Sequence, residues 1–121
     1  MTNKGYKGYA GDKGENIVGR YLAGKGYTLL REKYRSPFGE IDLVAQDGGY
    51  TVFIEVKYRR TPRYGMPCEA VDVRKQKNMR QAALHYMAAH ADEMCDRDCR
   101  FDVVTLFGWD SMRVEHIENA F

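Results

Sequence analysis

The stretch from Gly39 to Lys57, GEIDLVAQDGGYTVFIEVK, limits most narrowly what this chain can fold into. Apolar and polar residues alternate on both sides of its centre, which is typical of β-strands that bury one face. Gly48-Gly49 separates the two halves, and paired glycines favour a two-residue hairpin loop because both positions tolerate a positive φ angle. The sequence therefore predicts an antiparallel hairpin with Asp47 opposite Tyr50.

This register brings charged side chains together on one face of the hairpin. Counting back from the loop places Asp42 directly opposite Glu55 and Glu40 opposite Lys57. Opposed carboxylates destabilise a strand pair by roughly 0.2–1 kcal/mol relative to a neutral pair, and burial adds to that cost. A positive charge is therefore expected between the acids, either from Lys57 or from a hard divalent cation such as Mg²⁺.

A divalent cation beside a lysine suits phosphodiester hydrolysis. The metal polarises a phosphoryl oxygen and lowers the pKa of a bound water. The ammonium group of Lys57 stabilises charge in the transition state or helps to place the attacking water. The alternative is a solvated strand face that carries ordinary charges, as most isolated Glu-x-Lys patterns do.

Glu15 is a further candidate, from a helix that precedes the hairpin. Asp12 and Glu15 have the spacing of a capping box, Val18 and Leu22 belong to an apolar stripe, and Gly26 is suited to end the helix. Glu15 either satisfies the first backbone amides of this helix or directs its carboxylate toward the sheet, since it shares a helical face with Val18 and Leu22.

The rest of the chain supplies three more strands and a second helix. The expected strands are 27–34, 101–107 and 112–117, and the helix carries an apolar stripe at Met79, Ala82, Ala83, Tyr86 and Met87. The predicted fold is therefore an α/β domain with a mixed central β-sheet flanked by helices, in the order α-β-β-β-α-β-β. Residues 1–11 are predicted to be a flexible tail and residues 12–121 a single domain.

The bulk composition is that of a globular protein. The chain has 121 residues, 44% of them hydrophobic, and a net charge of +2. Three cysteines without a dense framework argue against a disulfide-stapled secreted domain. With neither a signal-peptide pattern nor a membrane-length apolar run, a soluble cytoplasmic protein that does not bind membranes is expected.

Basic residues follow the strand that bears Glu55. Arg59, Arg60 and Arg63 lie in a loop, and Lys75 lies in the first turn of the second helix. Cations at a helix N-terminus oppose the helix dipole, and a bound phosphate backbone would explain them. The alternatives are a solubilising basic face and, for Lys75, a side chain that points back toward the acids.

Asp42, followed on the paired strand by Glu55-Val56-Lys57, resembles the motif of the PD-(D/E)xK nuclease superfamily, with Ile41 in place of the motif's proline. The chain as a whole is similar to the YraN-like bacterial family, which is related to Holliday junction resolvases. The matching stretches are Gly14-Glu15, Tyr21-Leu22 through Gly26-Tyr27, Gly39-Glu40-Ile41-Asp42-Leu43, Phe53-Ile54-Glu55-Val56-Lys57, Arg100-Phe101-Asp102-Val103-Val104 and Asn119-Ala120-Phe121.

The resemblance implies a restriction-endonuclease-like fold and a metal-dependent endonuclease that acts on branched or structured DNA as a homodimer. It implies that Asp42 and Glu55 bind Mg²⁺ or Mn²⁺, that Lys57 assists attack, and that Glu15 contributes from the first helix. Two alternatives remain open. One is a non-catalytic nucleic-acid-binding module that retains the nuclease fold, and the other is a protein-interaction scaffold.

Overall fold

The computed structural model describes residues 16–59, 71–94, 97–108 and 113–121. Its elements, in chain order, are α1 (residues 16–24), β1 (Thr28–Ser36), β2 (Gly39–Asp47), β3 (Tyr50–Arg59), α2 (Val73–Ala89), α3 (Ala91–Met94), β4 (Asp98–Phe107) and β5 (Arg113–Ile117). Glu15, the predicted tail at residues 1–11, Arg60 and Arg63 lie outside the described residues.

All five strands form one sheet in the order β1-β2-β3-β4-β5. Strands β3 and β4 are parallel, and the other neighbours are antiparallel. A parallel pair needs a crossover connection, which α2 supplies between β3 and β4. The mixed sheet and the order α-β-β-β-α-β-β are as predicted, and the four-residue helix α3 is an addition that the sequence pattern does not predict.

Hydrophobic side chains cover both faces of the sheet. On one face Val18 and Leu22 of α1 pack against strand residues such as Ile54. On the other face α2 packs Ala82, Ala83 and Tyr86 against Ile41, Val44 and Phe53. Each fully buried Val, Leu, Ile or Phe side chain contributes roughly 1.5–3 kcal/mol, so the two layers stabilise β2 and β3 as the centre of the domain.

The β2–β3 hairpin has the predicted register. Asp47 pairs with Tyr50, and the ladder continues to Leu43 opposite Ile54. Gly48 occupies the first loop position with a φ of +59°, as glycine does in type II′ hairpin turns. The tight turn therefore determines which side chains of β2 and β3 share a face.

Replacing Gly48 with alanine is expected to lower the free energy of unfolding by roughly 1 kcal/mol, because an L-residue is disfavoured at positive φ. Gly49→Ala is the matched control, since its φ is not positive and an added Cβ would meet no atom within 4 Å. Urea denaturation followed by circular dichroism measures both variants. Equal stability of the two variants would contradict the assignment of the turn.

Candidate active site

Asp42 lies on strand β2, just beyond the end of the hydrogen-bonded ladder between β2 and β3. The last paired residues are Leu43 and Ile54. One residue further on, the Asp42 carboxylate accepts a hydrogen bond from the backbone N–H of Val56, with Oδ2 at 2.8 Å. Asp42 therefore does not form a ladder pair with Glu55 as the register had predicted, because its side chain bonds to the β3 backbone there.

The carboxyl groups of Asp42 and Glu55 are hydrogen-bonded to each other. Burial raises the pKa of Glu55 to about 7, and the negative charge of Asp42 adds to this shift. Burial also raises the pKa of Asp42, although the Val56 N–H and Lys75 act in the opposite direction. Burial and the mutual repulsion of two neighbouring acids both favour protonation of one member of the pair.

Two lysines lie beside this acid pair. Lys75 Nζ of α2 is 3.6 Å from Glu55 Oε1, and the charge of Lys57 lowers the pKa of Glu55, which shows that it lies nearby. The Glu55 side chain is only 13% exposed, yet its Oε1 accepts no hydrogen bond from any described residue. The site therefore contains a buried carboxyl oxygen whose distance of 3.6 Å from the Lys75 ammonium nitrogen is too long for a hydrogen bond.

The other predicted site residues are placed less centrally. The β2–β3 ladder ends at Leu43 and Ile54, so it contains no Glu40–Lys57 pair. On its other side Glu40 pairs with Arg35 of β1, with Arg35 Nε to Glu40 Oε2 at 3.0 Å. Arg59 ends β3 and donates from Nη1 to the carbonyl oxygen of Tyr58 at 3.1 Å. For Glu15, Arg60 and Arg63, which fall outside the described ranges, the predicted roles stay predictions.

The donor set fits a hard divalent cation. Mg²⁺ is commonly held by one or two carboxylates, with the remaining positions taken by water and substrate phosphates. Asp42 and Glu55 supply two carboxylates, and the unbonded Oε1 of Glu55 supplies a free lone pair. Across residues 16–59, 71–94, 97–108 and 113–121, no group of three His, Cys, Asp or Glu side chains could hold a metal.

A second polar cluster lies on the opposite face of the sheet, and the pattern of apolar and polar residues does not predict it. Arg100 and Asp102 pair with Val52 and Ile54 across β3 and β4, and therefore lie on the α1 side. Arg100 donates from Nε and Nη2 to the two oxygens of Asp102 at 2.9 and 3.0 Å. Among the described residues, this ion pair forms no hydrogen bond or salt bridge with Asp42 or Glu55.

His116 of β5, which is isolated in the sequence, completes this cluster. Its Nε2 lies 2.7 Å from Asp102 Oδ2, and the backbone N–H of Asn119 donates to Asp102 Oδ1 at 3.0 Å. Burial alone would raise the pKa of Asp102, but hydrogen bonds from His116, Arg100 and Asn119 outweigh burial and lower it. The cluster therefore holds an ionised Asp102 inside the domain. Predicting this cluster would have required the strand register that links β3, β4 and β5.

A solved structure of SfsA from Pyrococcus furiosus in complex with Ca²⁺ has a low structural similarity to this chain. The TM-score is 0.39 at 15% sequence identity, and the match covers 86% of this chain and 59% of that chain. Within the described part of the structure, no helix combines the length and apolar character needed to cross a membrane.

The sequence comparisons are far more specific. The chain is 43% identical to a UPF0102 protein from Alkaliphilus metalliredigens over 92% of this chain and 96% of that protein. A UPF0102 protein from Symbiobacterium thermophilum is 44% identical over 92% and 94% of the two chains. Residues 14–106 match the sequence profile described as "Uncharacterised protein family UPF0102". The chain therefore belongs to the UPF0102 family, which is the YraN-like family that its motifs resemble.

Proposed function

We propose that this protein is a metal-dependent endonuclease that hydrolyses phosphodiester bonds in DNA. The observation that carries the proposal is the buried acid pair of Asp42 and Glu55 with Lys57 beside it. Burial and mutual repulsion of these acids are unfavourable for folding. A cation bound between them would offset both costs, which explains why the two acids lie together. Strongly perturbed carboxyl groups of this kind cluster at catalytic sites.

Asp42 and Glu55 would hold Mg²⁺ or Mn²⁺. The chemistry that this cation supplies when bound is polarisation of a phosphoryl oxygen and activation of water. Lys57 is two residues from Glu55 on β3 and therefore points to the same side of the strand. Its ammonium group orients the attacking water or stabilises the charge that develops on the phosphorus oxygens.

Basic residues around the site would bind the DNA backbone. Arg59 continues β3 beyond Lys57, and Arg60, Arg63 and Lys75 carry further positive charge in the sequence. Three further parts of the proposal follow only from the resemblance to Holliday junction resolvases. They are branched DNA as the substrate, a contribution of Glu15, and a homodimer as the active form.

Replacing Lys57 with alanine tests the catalytic proposal. We expect cleavage of a synthetic four-way junction in Mg²⁺ or Mn²⁺ to fall about 100- to 1,000-fold, because a positioned charge at the transition state is lost. Affinity for the same junction, measured in Ca²⁺ by gel shift, is expected to change little. Lys77→Ala, which removes one charge from the exposed side of α2, is the matched control and should cleave like the wild type.

The second candidate is a non-catalytic nucleic-acid-binding module. It is favoured by the lack of a third metal ligand among the described residues. In that case wild type and Lys57→Ala bind the junction equally and neither cleaves it in Mg²⁺ or Mn²⁺. A protein that shows no salt-dependent DNA affinity at all would contradict both candidates, because phosphate contacts impose a steep salt dependence.

A further inference from the structure

The placement of Lys75 has no explanation in the helix that carries it. Asp72 caps α2 and accepts a hydrogen bond from the backbone N–H of Lys75 at 2.8 Å, which makes Lys75 the third helical residue. A cation in the first turn is unfavourable because it opposes the helix dipole. The first turn of α2 contains no acidic residue that would offset this cost.

The side chain of Lys75 instead reaches across to β3. Its Nζ lies 3.6 Å from Glu55 Oε1, the buried oxygen that accepts no hydrogen bond from the described part of the chain. Arg74 and Lys77, which flank it in sequence, are exposed, whereas Lys75 is partly buried. Lys75 is thus the cation of this turn that the structure directs into the acid pair.

Two features indicate that this contact is exchangeable. The ion pair is too long for a hydrogen bond, and the Lys75 side chain remains 40% exposed, so water can solvate the ammonium group once it leaves. By contrast, the Arg100–Asp102 pair is doubly hydrogen-bonded, and its side chains are only 8% and 0% exposed. The backbone of Lys75 is held by the cap, so only its side chain has to move.

We propose that Lys75 is the built-in counter-ion of the metal-free site, and that a divalent cation and the Lys75 ammonium group compete for Glu55. This proposal rests on the proposed function, since it takes Asp42 and Glu55 as the metal ligands. Before metal enters, Lys75 offsets the charge of the acid pair and stabilises the packing of α2 on the sheet. After metal enters, repulsion between the two cations moves the ammonium outward, where a phosphate of the substrate is its natural partner.

Metal binding without DNA tests this competition directly. Mn²⁺ affinity is measured by calorimetry and by electron paramagnetic resonance for the wild type, Lys75→Met and the matched control Lys77→Met. Methionine keeps the length and apolar stem of lysine but removes the charge. We expect Lys75→Met to bind Mn²⁺ about five- to tenfold more tightly than wild type, because one nearby positive charge is gone. Lys77→Met is expected to match the wild type.

The same variants separate the two proposals. If Lys75→Met binds Mn²⁺ more tightly but wild type cleaves no DNA, the counter-ion proposal stands and the nuclease proposal falls. If wild type cleaves DNA but Lys75→Met binds Mn²⁺ no more tightly than wild type, the counter-ion proposal is overturned. Absence of Mn²⁺ binding in both wild type and Lys75→Met also overturns it, because no competition then exists.

Discussion

Glu55→Gln is expected to abolish metal-dependent cleavage while making the metal-free protein more stable at alkaline pH. Glutamine keeps the shape of the side chain and its hydrogen bond to Asp42, but it cannot ionise and is a poor ligand for Mg²⁺. We expect DNA cleavage to fall about 100- to 1,000-fold or more. A stabilising substitution that removes activity is the pattern of a site whose charge serves function at a cost to folding.

The direction of the stability change follows from the raised pKa of Glu55. Folding raises this pKa from 4.5 to about 7, so the folded protein binds the proton more tightly than the unfolded chain. The stabilisation of the folded protein that comes from protonation of Glu55 is fully present below pH 4.5 and is lost as the pH rises through about 7. The wild-type protein should therefore lose on the order of 3 kcal/mol at most between these limits.

Thermal unfolding in EDTA at several pH values measures this effect. At pH 8, Glu55→Gln should exceed the wild type in unfolding free energy by about 1–3 kcal/mol, and the difference should shrink toward zero near pH 4.5. Glu40→Gln is the matched control, because Glu40 pairs with Arg35 at the surface and such pairs contribute about 0–1 kcal/mol. A Glu55→Gln protein less stable than wild type at pH 8 would show that Glu55 is an ordinary structural acid.

Asp102→Ala is expected to destabilise the protein by about 3–5 kcal/mol, because it leaves a buried guanidinium group without its main partner. Arg100 retains two weaker ion pairs, from Nη1 to Asp47 Oδ2 at 3.0 Å and to Glu118 Oε1 at 3.9 Å, both to partly exposed acids. The hydrogen bonds from His116 and from the Asn119 N–H lose their acceptor. The loss therefore reaches from β4 to the end of β5 and should lower the stability of that edge of the sheet most.

Urea denaturation at pH 7 measures this prediction. The control is Glu115→Ala, which removes the exposed Arg113–Glu115 pair from β5 and should change stability by less than about 1 kcal/mol. A milder variant, Asp102→Asn, should fold and retain DNA cleavage, because this cluster lies on the other face of the sheet from Asp42 and Glu55. A loss of under 1 kcal/mol in Asp102→Ala would contradict a structural role for the cluster.

The elements of the fold were predictable because their signals are local. Alternating residues and the Gly48-Gly49 loop predict the β2–β3 hairpin, and the ladder from Asp47–Tyr50 to Leu43–Ile54 confirms its register. The apolar stripe of α2 likewise predicts which residues are buried against the sheet. Pairing distances and helical periodicity are properties of neighbouring residues, so they can be read without knowing the tertiary structure.

The acid pair was only partly predictable. Turn geometry and strand alternation bring Asp42 and Glu55 to one face, and the structure confirms that their carboxyl groups meet. The register failed one residue beyond Leu43, where the Asp42 side chain takes the Val56 N–H. A side chain that competes with the backbone for a ladder hydrogen bond leaves no trace in a pattern of apolar and polar residues.

By itself, the sequence determined the hairpin, the helices α1 and α2 and the closeness of two acids, since each depends on short-range spacing along the chain. Only the tertiary structure decided that Lys75 of α2 faces Glu55 and that Arg100, Asp102 and His116 form one buried cluster. These contacts join elements that are far apart in the sequence. Their partners are set by how helices and strands pack together, because the cost of burying a charge is offset only by the opposite charge that packing brings to it.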